Sequence, residues 1–188
     1  AFSFDGVDDY AVVPASSNWA FGTGDFTVEF WMYSSTNDDR RPLVNNRKGT
    51  GGVPNMWAIE IYNVANRVEF HSGTTILMTA TTTLTPSSWN HVAINGVQAG
   101  SGTSSDDFSQ VNDLQIGRDL LPLPIGDLGK TFGGKIDELS IFNRSLTPAE
   151  IAAIFSAGGN GLCRACTPPP ANMVAWWPGE GNASDIQG

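Results

Sequence analysis

Charge is scarce in this chain. Only 15% of the 188 residues are charged, and ten Lys and Arg face 19 Asp and Glu, for a net charge of −9. A surface of that sign repels phosphate backbones, which argues against nucleic-acid binding and suits hard cations held by oxygen ligands. No apolar run approaches the ~18 residues that a membrane-spanning helix needs. Neither an initiator methionine nor a signal-peptide pattern opens the sequence. It therefore reads as mature or excised, with any secretion signal elsewhere.

Cysteine is almost absent. Both copies sit in Cys163-Arg-Ala-Cys166, with no histidine nearby, so a tetrahedral zinc site is incomplete. A redox Cys-x-x-Cys opens a helix beside a βαβ unit, and no such unit is legible here. The expected state is a local Cys163–Cys166 disulfide in an oxidising compartment, which would rigidify the segment; a bridge between chains is the alternative.

What the chain has in quantity is glycine (21 residues) with abundant Ser, Thr and Asn, the balance of a loop-rich, all-β extracellular module. Short strands separated by Asn and Gly turns dominate. They fall at 1–4, 10–13, Phe26–Tyr33, Trp57–Tyr62, 67–71, Thr75–Thr79, 89–94, 113–116 and 134–143. In Phe26–Tyr33, Phe26, Val28, Phe30 and Met32 point one way. Thr27, Glu29, Trp31 and Tyr33 point the other, a polar-aromatic face that is partly solvated or binds a ligand. Strands at this spacing predict a two-sheet sandwich or barrel. One helix is expected after Ser145: Thr147 as N-cap, Pro148 at the first position, Glu150 closing a capping box, and Gly158-Gly159 as the stop. Leu146, Ile151 and Ile154 would pack it on the sandwich edge.

Composition changes after Gly161. The chain divides into a sandwich (1–161), a stiff Cys/Pro-rich linker ending in Thr167-Pro-Pro-Pro170 (162–171), and an apolar strand with its tail (172–188).

Four segments closely resemble the bacterial laminin-G-like, concanavalin A-like jelly-roll family. They are Phe2-Ser-Phe-Asp-Gly-Val-Asp-Asp-Tyr10, Phe21-Gly-Thr-Gly-Asp-Phe-Thr-Val-Glu-Phe-Trp31, Trp89-Asn-His-Val-Ala93, and the run from Gly134-Lys-Ile-Asp-Glu-Leu through Leu146 with its Thr-Pro-Ala-Glu-Ile helix. The resemblance spans residues 1–160 and implies an all-β, antiparallel two-sheet jelly roll with one short helix. In the family, a strand like Met173–Gly179 precedes the Phe-Ser-Phe-Asp-Gly motif; here it follows the sandwich. Residues 172–188 are therefore expected to be the first strand of a following repeat. The family also carries a hairpin after His-Val-Ala. Here Ala93 runs straight into Ile94-Asn-Gly-Val97, which implies a lost strand pair or residues missing at that point.

The resemblance also implies sites. The family often holds Ca²⁺ where the first turn meets the penultimate strand, which names Asp5, Asp9 and Asp137, with Asp8 beside them; the plain alternative is a solvated Asp5-Gly6 turn. A carbohydrate could stack on Trp31, Tyr33 and Trp57, with Tyr62 and His71, on a concave face rimmed by Asn45, Asn46 and Arg47, although sandwich aromatics are mostly core. Catalysis is not expected. Glu29, Glu60 and Glu69 form no tight acid pair in sequence, Asp137 and Glu138 alternate across the strand, and the family position of His91 is structural. The chain is thus expected to be a non-catalytic, secreted or surface-exposed adhesive repeat whose partners are copies of itself or adjacent repeats. Val174, Trp176 and Trp177 would enter a neighbour and build a filament. Alternatively the same strand folds back on its own domain, and the chain is a carbohydrate-binding module with an extracellular glycan as partner.

Overall fold

A computed structural model describes residues 1–34, 41–48, 55–62, 66–97, 107–120, 131–158 and 171–177. The Cys163–Cys166 pair, most of the linker and residues 178–188 lie outside them.

Eleven described strands and one α-helix follow in the order β1 (Phe2–Asp5), β2 (Ala11–Val13), β3 (Phe26–Tyr33), β4 (Arg41–Asn45), β5 (Trp57–Tyr62), β6 (Arg67–Ser72), β7 (Thr75–Thr79), β8 (Trp89–Gly96), β9 (Leu114–Ile116), β10 (Gly133–Phe142), α1 (Pro148–Ala157) and β11 (Met173–Trp177). They build two antiparallel sheets. One runs β1-β10-β3-β8 with β11 also paired to β10; the other runs β2-β9-β4-β5-β6-β7. The expected two-sheet sandwich with one short helix is what forms. Among the described residues, no helix is long and apolar enough to cross a membrane.

Period-2 patterning decides the core. Phe26, Val28, Phe30 and Met32 of β3 meet Trp57, Ile59 and Ile61 of β5 and Val68 and Phe70 of β6 between the sheets, all 5% exposed or less. β4 is a strand that the sequence pattern misses. Pro42 argues against a central strand, yet β9 reaches only Val44 and Asn45, so Pro42 lies beyond the end of that ladder. β8 runs unbroken through Ala93-Ile94 and pairs with β3 along its whole length.

The capping box of α1 forms as expected: the Thr147 hydroxyl accepts from the Glu150 N–H, and Glu150 takes the Thr147 N–H. Arg144 grips the Glu150 carboxylate with two nitrogens at 2.6 and 3.0 Å. The side-chain bond from Arg144, helped by those from Thr147, lowers Glu150 to about 2. The Thr27 hydroxyl accepts the Leu146 N–H and so pins the entry of the helix to β3. Leu146, Ile151 and Ile154 then pack with Phe142, Met173 and Trp176 in a cluster outside the main core.

β11 corrects an expectation. Met173–Trp177 pairs with β10 of its own chain, Trp177 opposite Leu139 and Met173 opposite Phe142. β1 lies along the same side of β10, Phe2 opposite Ile136 and Asp5 opposite Gly133. The two strands thus follow one another along a single edge. At the joint, β10 carries an extra residue, Glu138 adopts φ 51°, and its carboxylate accepts the Trp176 indole N–H at 2.7 Å. Ala175, Trp176 and Trp177 are buried in this sandwich, and Val174 packs against the same core. The apolar strand expected in a neighbouring copy therefore has its burial satisfied at home.

Two measurements check this account. Trp177→Ala should cost about 3–5 kcal/mol in chemical denaturation, because it empties a fully enclosed site. The contribution of Glu150, whose folded value of about 2 lies below its ordinary 4.5, should be full above pH 4.5 and lost as pH falls through 2. The Tm difference between wild type and Glu150→Gln should accordingly hold steady down to that range and then vanish.

Candidate functional site

The two sheets differ sharply on their outward faces. On the six-stranded sheet, Asn45, Glu60, Glu69, His71 and Gln115 point away from the core, yet each is 3% exposed or less. Glu60 and Glu69 stand directly opposite each other across β5 and β6, an arrangement that is unfavourable between like charges unless it is compensated. Arg47, 1% exposed, supplies part of that compensation. It bonds Glu60, reaches Asp119 at 2.6 Å and donates to the Gly73 carbonyl. His71 adds a contact to Glu69 at 3.1 Å, with Glu60 at 3.7 Å, and the Thr79 hydroxyl bonds Glu69. The acid pair not visible in sequence is therefore real in space, but it is sealed and tied into a buried ion network.

This overturns the placement of three expected ligand-binding residues. Arg47 belongs to the network and not to a rim. Asn46 is wholly buried; it donates to the Gln110 carbonyl and accepts the Trp57 N–H, fixing the exit from β4. Trp57 is a core residue on the opposite face of β5 from Tyr62, its indole N–H bonded to the Trp19 carbonyl and its ring against Phe21. Strand parity forbids Trp57 from sharing a surface with Tyr62 or His71.

The five-stranded sheet carries an open aromatic face. Trp31 and Tyr33 keep their expected side and are half-buried. Register adds residues that the sequence pattern does not single out. Ser3, Lys135, Tyr33 and Trp89 form one row across β1, β10, β3 and β8, and Asp137, Trp31 and His91 form the next. Tyr33 and Trp89 meet edge to face at 5.8 Å. Trp31 contacts His91 at 5.0 Å and stacks on Phe155 of α1 at 5.5 Å. Trp89 and Phe155 remain 43% and 56% exposed, enough free ring to receive another flat apolar surface. Beneath them, His91 bonds the buried Glu29 carboxylate at 2.8 Å, a structural role.

Tyr33 also borders a pocket of about 300 Å³ lined by Ser3, Phe4, Asp5, Gly133, Gly134 and Lys135. The carboxylate oxygens of Asp5, Asp8 and Asp9 lie within 4.8 Å of one another beside it. They already accept backbone bonds, Asp5 from Val7 and Asp8, and Asp9 from Asp5. The Val7 bond is the main cause that lowers the Asp5 carboxyl below its usual range. Asp137 is not with them. It lies beyond the other end of β1, four register steps from the partner of Asp5, roughly 13 Å away, and pairs with the Ala1 amine at 3.0 Å. The expected Asp5–Asp9–Asp137 set for Ca²⁺ therefore does not fit this geometry.

Comparison with known proteins agrees with this architecture. Residues 5–152 match the model of the concanavalin A-like lectin/glucanases superfamily. The chain belongs to that superfamily. Among solved structures, it resembles a candidate carbohydrate-binding protein from Bacteroides ovatus ATCC 8483, with 18% identity, a TM-score of 0.64, and coverage of 97% of this chain and 55% of that one. A Trypanosoma rangeli sialidase, solved in complex with 2,3-difluorosialic acid, matches with 18% identity and a TM-score of 0.60 over 85% of this chain and 28% of the other. A heptameric pentraxin from Limulus polyphemus matches at 12% identity and a TM-score of 0.51, covering 85% of this chain and 82% of that one. The superfamily member described here thus spans about half of the first relative and about a quarter of the second. No curated protein matches the sequence.

The buried network gives a stability prediction. Arg47→Met removes the cation that bridges Glu60 and Asp119 and should destabilise the sandwich by about 3–5 kcal/mol in urea titrations. The triple change Arg47→Met, Glu60→Leu, Asp119→Leu should recover much of that loss.

Proposed function

We propose that this chain is a non-catalytic carbohydrate-binding module of a secreted or surface protein, and that it takes glycan on the outer face of the five-stranded sheet. One observation carries the reading: an open group of aromatic rings, Tyr33 and Trp89 in one row, Trp31 in the next and Phe155 of α1 stacked on it, bordered by Ser3, Asp5 and Lys135 around a pocket. Sugars are recognised by flat apolar faces that take their C–H surfaces and by a few directional polar groups that fix their hydroxyls. The likeness to a candidate carbohydrate-binding protein supports this choice among the roles open to the fold.

A non-catalytic role is supported by the state of the acid pair. Glu60 and Glu69 are held by Arg47 and His71 at 2–3% exposure, whereas glycoside hydrolysis needs two carboxylates that reach a bound sugar. A place outside the cell is favoured by the acidic, Gly- and Asn-rich composition. Self-assembly through Val174, Trp176 and Trp177 is not part of the proposal, because β11 is already buried in its own sheet. Ca²⁺ is likewise left out.

On a glycan array, the full chain should bind, and Trp89→Ala should weaken that binding by about tenfold or more, on the order of 1.4 kcal/mol. Trp89 is largely exposed, so the Tm of the variant should stay within a few degrees of wild type. An array without binding, or undiminished binding by Trp89→Ala, overturns the reading.

A further inference from the structure

We propose that β7 is the surface through which two copies of this chain pair, in a closed dimer held by side chains. The surface is separate from the glycan face: β7 ends the six-stranded sheet, while the aromatic rings stand on and beside the other one. β7 pairs with β6 on one side, and no described residue pairs with its other side. All five of its residues are exposed. Three in succession are apolar, Ile76, Leu77 and Met78, at 46%, 42% and 41% exposure. Single apolar side chains on a surface are ordinary. Three adjacent ones on an uncovered edge invite a partner.

Charge selects that partner. Between Glu69 and Asp106 the sequence carries no Asp, Glu, Lys or Arg, the longest such stretch in the chain. β7 comes from it, and so does the connection that follows, where Thr81, Thr82, Thr83, Thr85, Pro86 and Ser87 are exposed. Two copies, each with a net charge of −9, repel one another wherever acids are displayed. A wall without ionised groups minimises that repulsion, and covering it strands no charge away from water. A basic partner would be drawn instead to acidic surface such as the Asp5, Asp8 and Asp9 cluster. A two-fold contact also requires one patch to complement itself. An apolar run meets that requirement, and the unbranched Met78 can adapt its shape to the copy.

The backbone of β7 favours a pair over a fibre. Ile76 stands opposite His71 and Met78 opposite Phe70, which leaves Leu77 as an extra residue, a bulge. A bulge breaks the regular row of N–H and C=O groups that a further strand would need. What remains to be shared is the side chains. A five-residue strand, roughly 17 Å long, builds less than the ~800 Å² per partner of a standard interface, so pairing belongs in the micromolar range or weaker.

Sedimentation velocity on the full chain, from about 1 µM to about 500 µM, should show one copy giving way to two. A chain that stays monomeric throughout overturns the proposal, whatever else covers β7. Growth beyond two copies overturns it as well, because it means open-ended addition. Raising sodium chloride from about 20 mM to about 500 mM shortens the screening length several-fold and should tighten the dimer by relieving repulsion. Weakening by salt would mean that ion pairs hold the contact, against the proposal. Leu77→Lys sets two like charges near the two-fold axis and should raise the dissociation constant about tenfold or more, although it lowers the net charge of each copy. Its Tm should stay within a few degrees of wild type, since Leu77 is exposed. Ile76→Lys gives the same reading should Leu77→Lys fail to fold. A dimer unaffected by both changes lies elsewhere on the molecule and overturns the assignment to β7.

Discussion

The sandwich depends on how β10 is sealed. Its ten residues run through the middle of one sheet, and buried backbone N–H and C=O groups must be paired on both sides. β3 covers one side from Lys135 to Phe142, interrupted only at the bulge. No single strand covers the other. β1 takes Gly133–Ile136 and β11 takes Leu139–Phe142, so two segments from opposite ends of the sequence complete one ladder. Glu138 marks the change-over. Its left-handed backbone absorbs the extra residue, and its carboxylate ties down Trp176. The bulge also resets parity, so that Ile136 before it and Leu139 and Ile141 after it all reach the core. The satellite cluster under α1 rests on Phe142 of this strand, and the aromatic residues Trp31 and Tyr33 stand on β3 beside it.

A chain that is only 15% charged nevertheless buries Glu29, Arg47, Glu60 and Glu69. Their desolvation is costly, and paired charges recover that cost only with good geometry. Here the pairs work as register keys. Arg47 and His71 help Glu60 and Glu69 to face each other, and His91, opposite Trp31 on the next strand, bonds the buried Glu29. The two outward faces end up with opposite characters, one polar and closed, the other aromatic and open. That division separates residues whose loss unfolds the protein from residues whose loss should alter only what it holds.

Much of this could be read from the sequence, and the rest fails for identifiable reasons. The alternation of Phe26–Tyr33 is a local property, so the core face and the aromatic face of β3 follow from it directly. The capping box at Thr147–Glu150 is equally local. The placement of Trp57 was also within reach, since five residues separate it from Tyr62 and an odd spacing puts the two on opposite faces. Arg47 is different. Its partners Glu60, Gly73 and Asp119 lie 13, 26 and 72 residues away, and nothing in the run Asn45-Asn-Arg-Lys announces burial. Asp137 and Asp5 looked like neighbours because their strands pair, but antiparallel register sends them to opposite ends of β1. Trp89 joins the candidate site solely through its cross-strand position beside Tyr33, a relation that no spacing along the chain encodes.

The shared edge of β10 has a consequence for chain order. Trp177 and Phe2 point the same way along one line, with two register positions between them, so the path of the backbone nearly closes on itself. A near-closed path has no privileged starting strand. The same sandwich is compatible with circular permutation, in which β11 leads directly into β1 and the break in the backbone falls between α1 and β11. In such a permutant the packing of Trp177, Ala175 and Phe4 stays where it is.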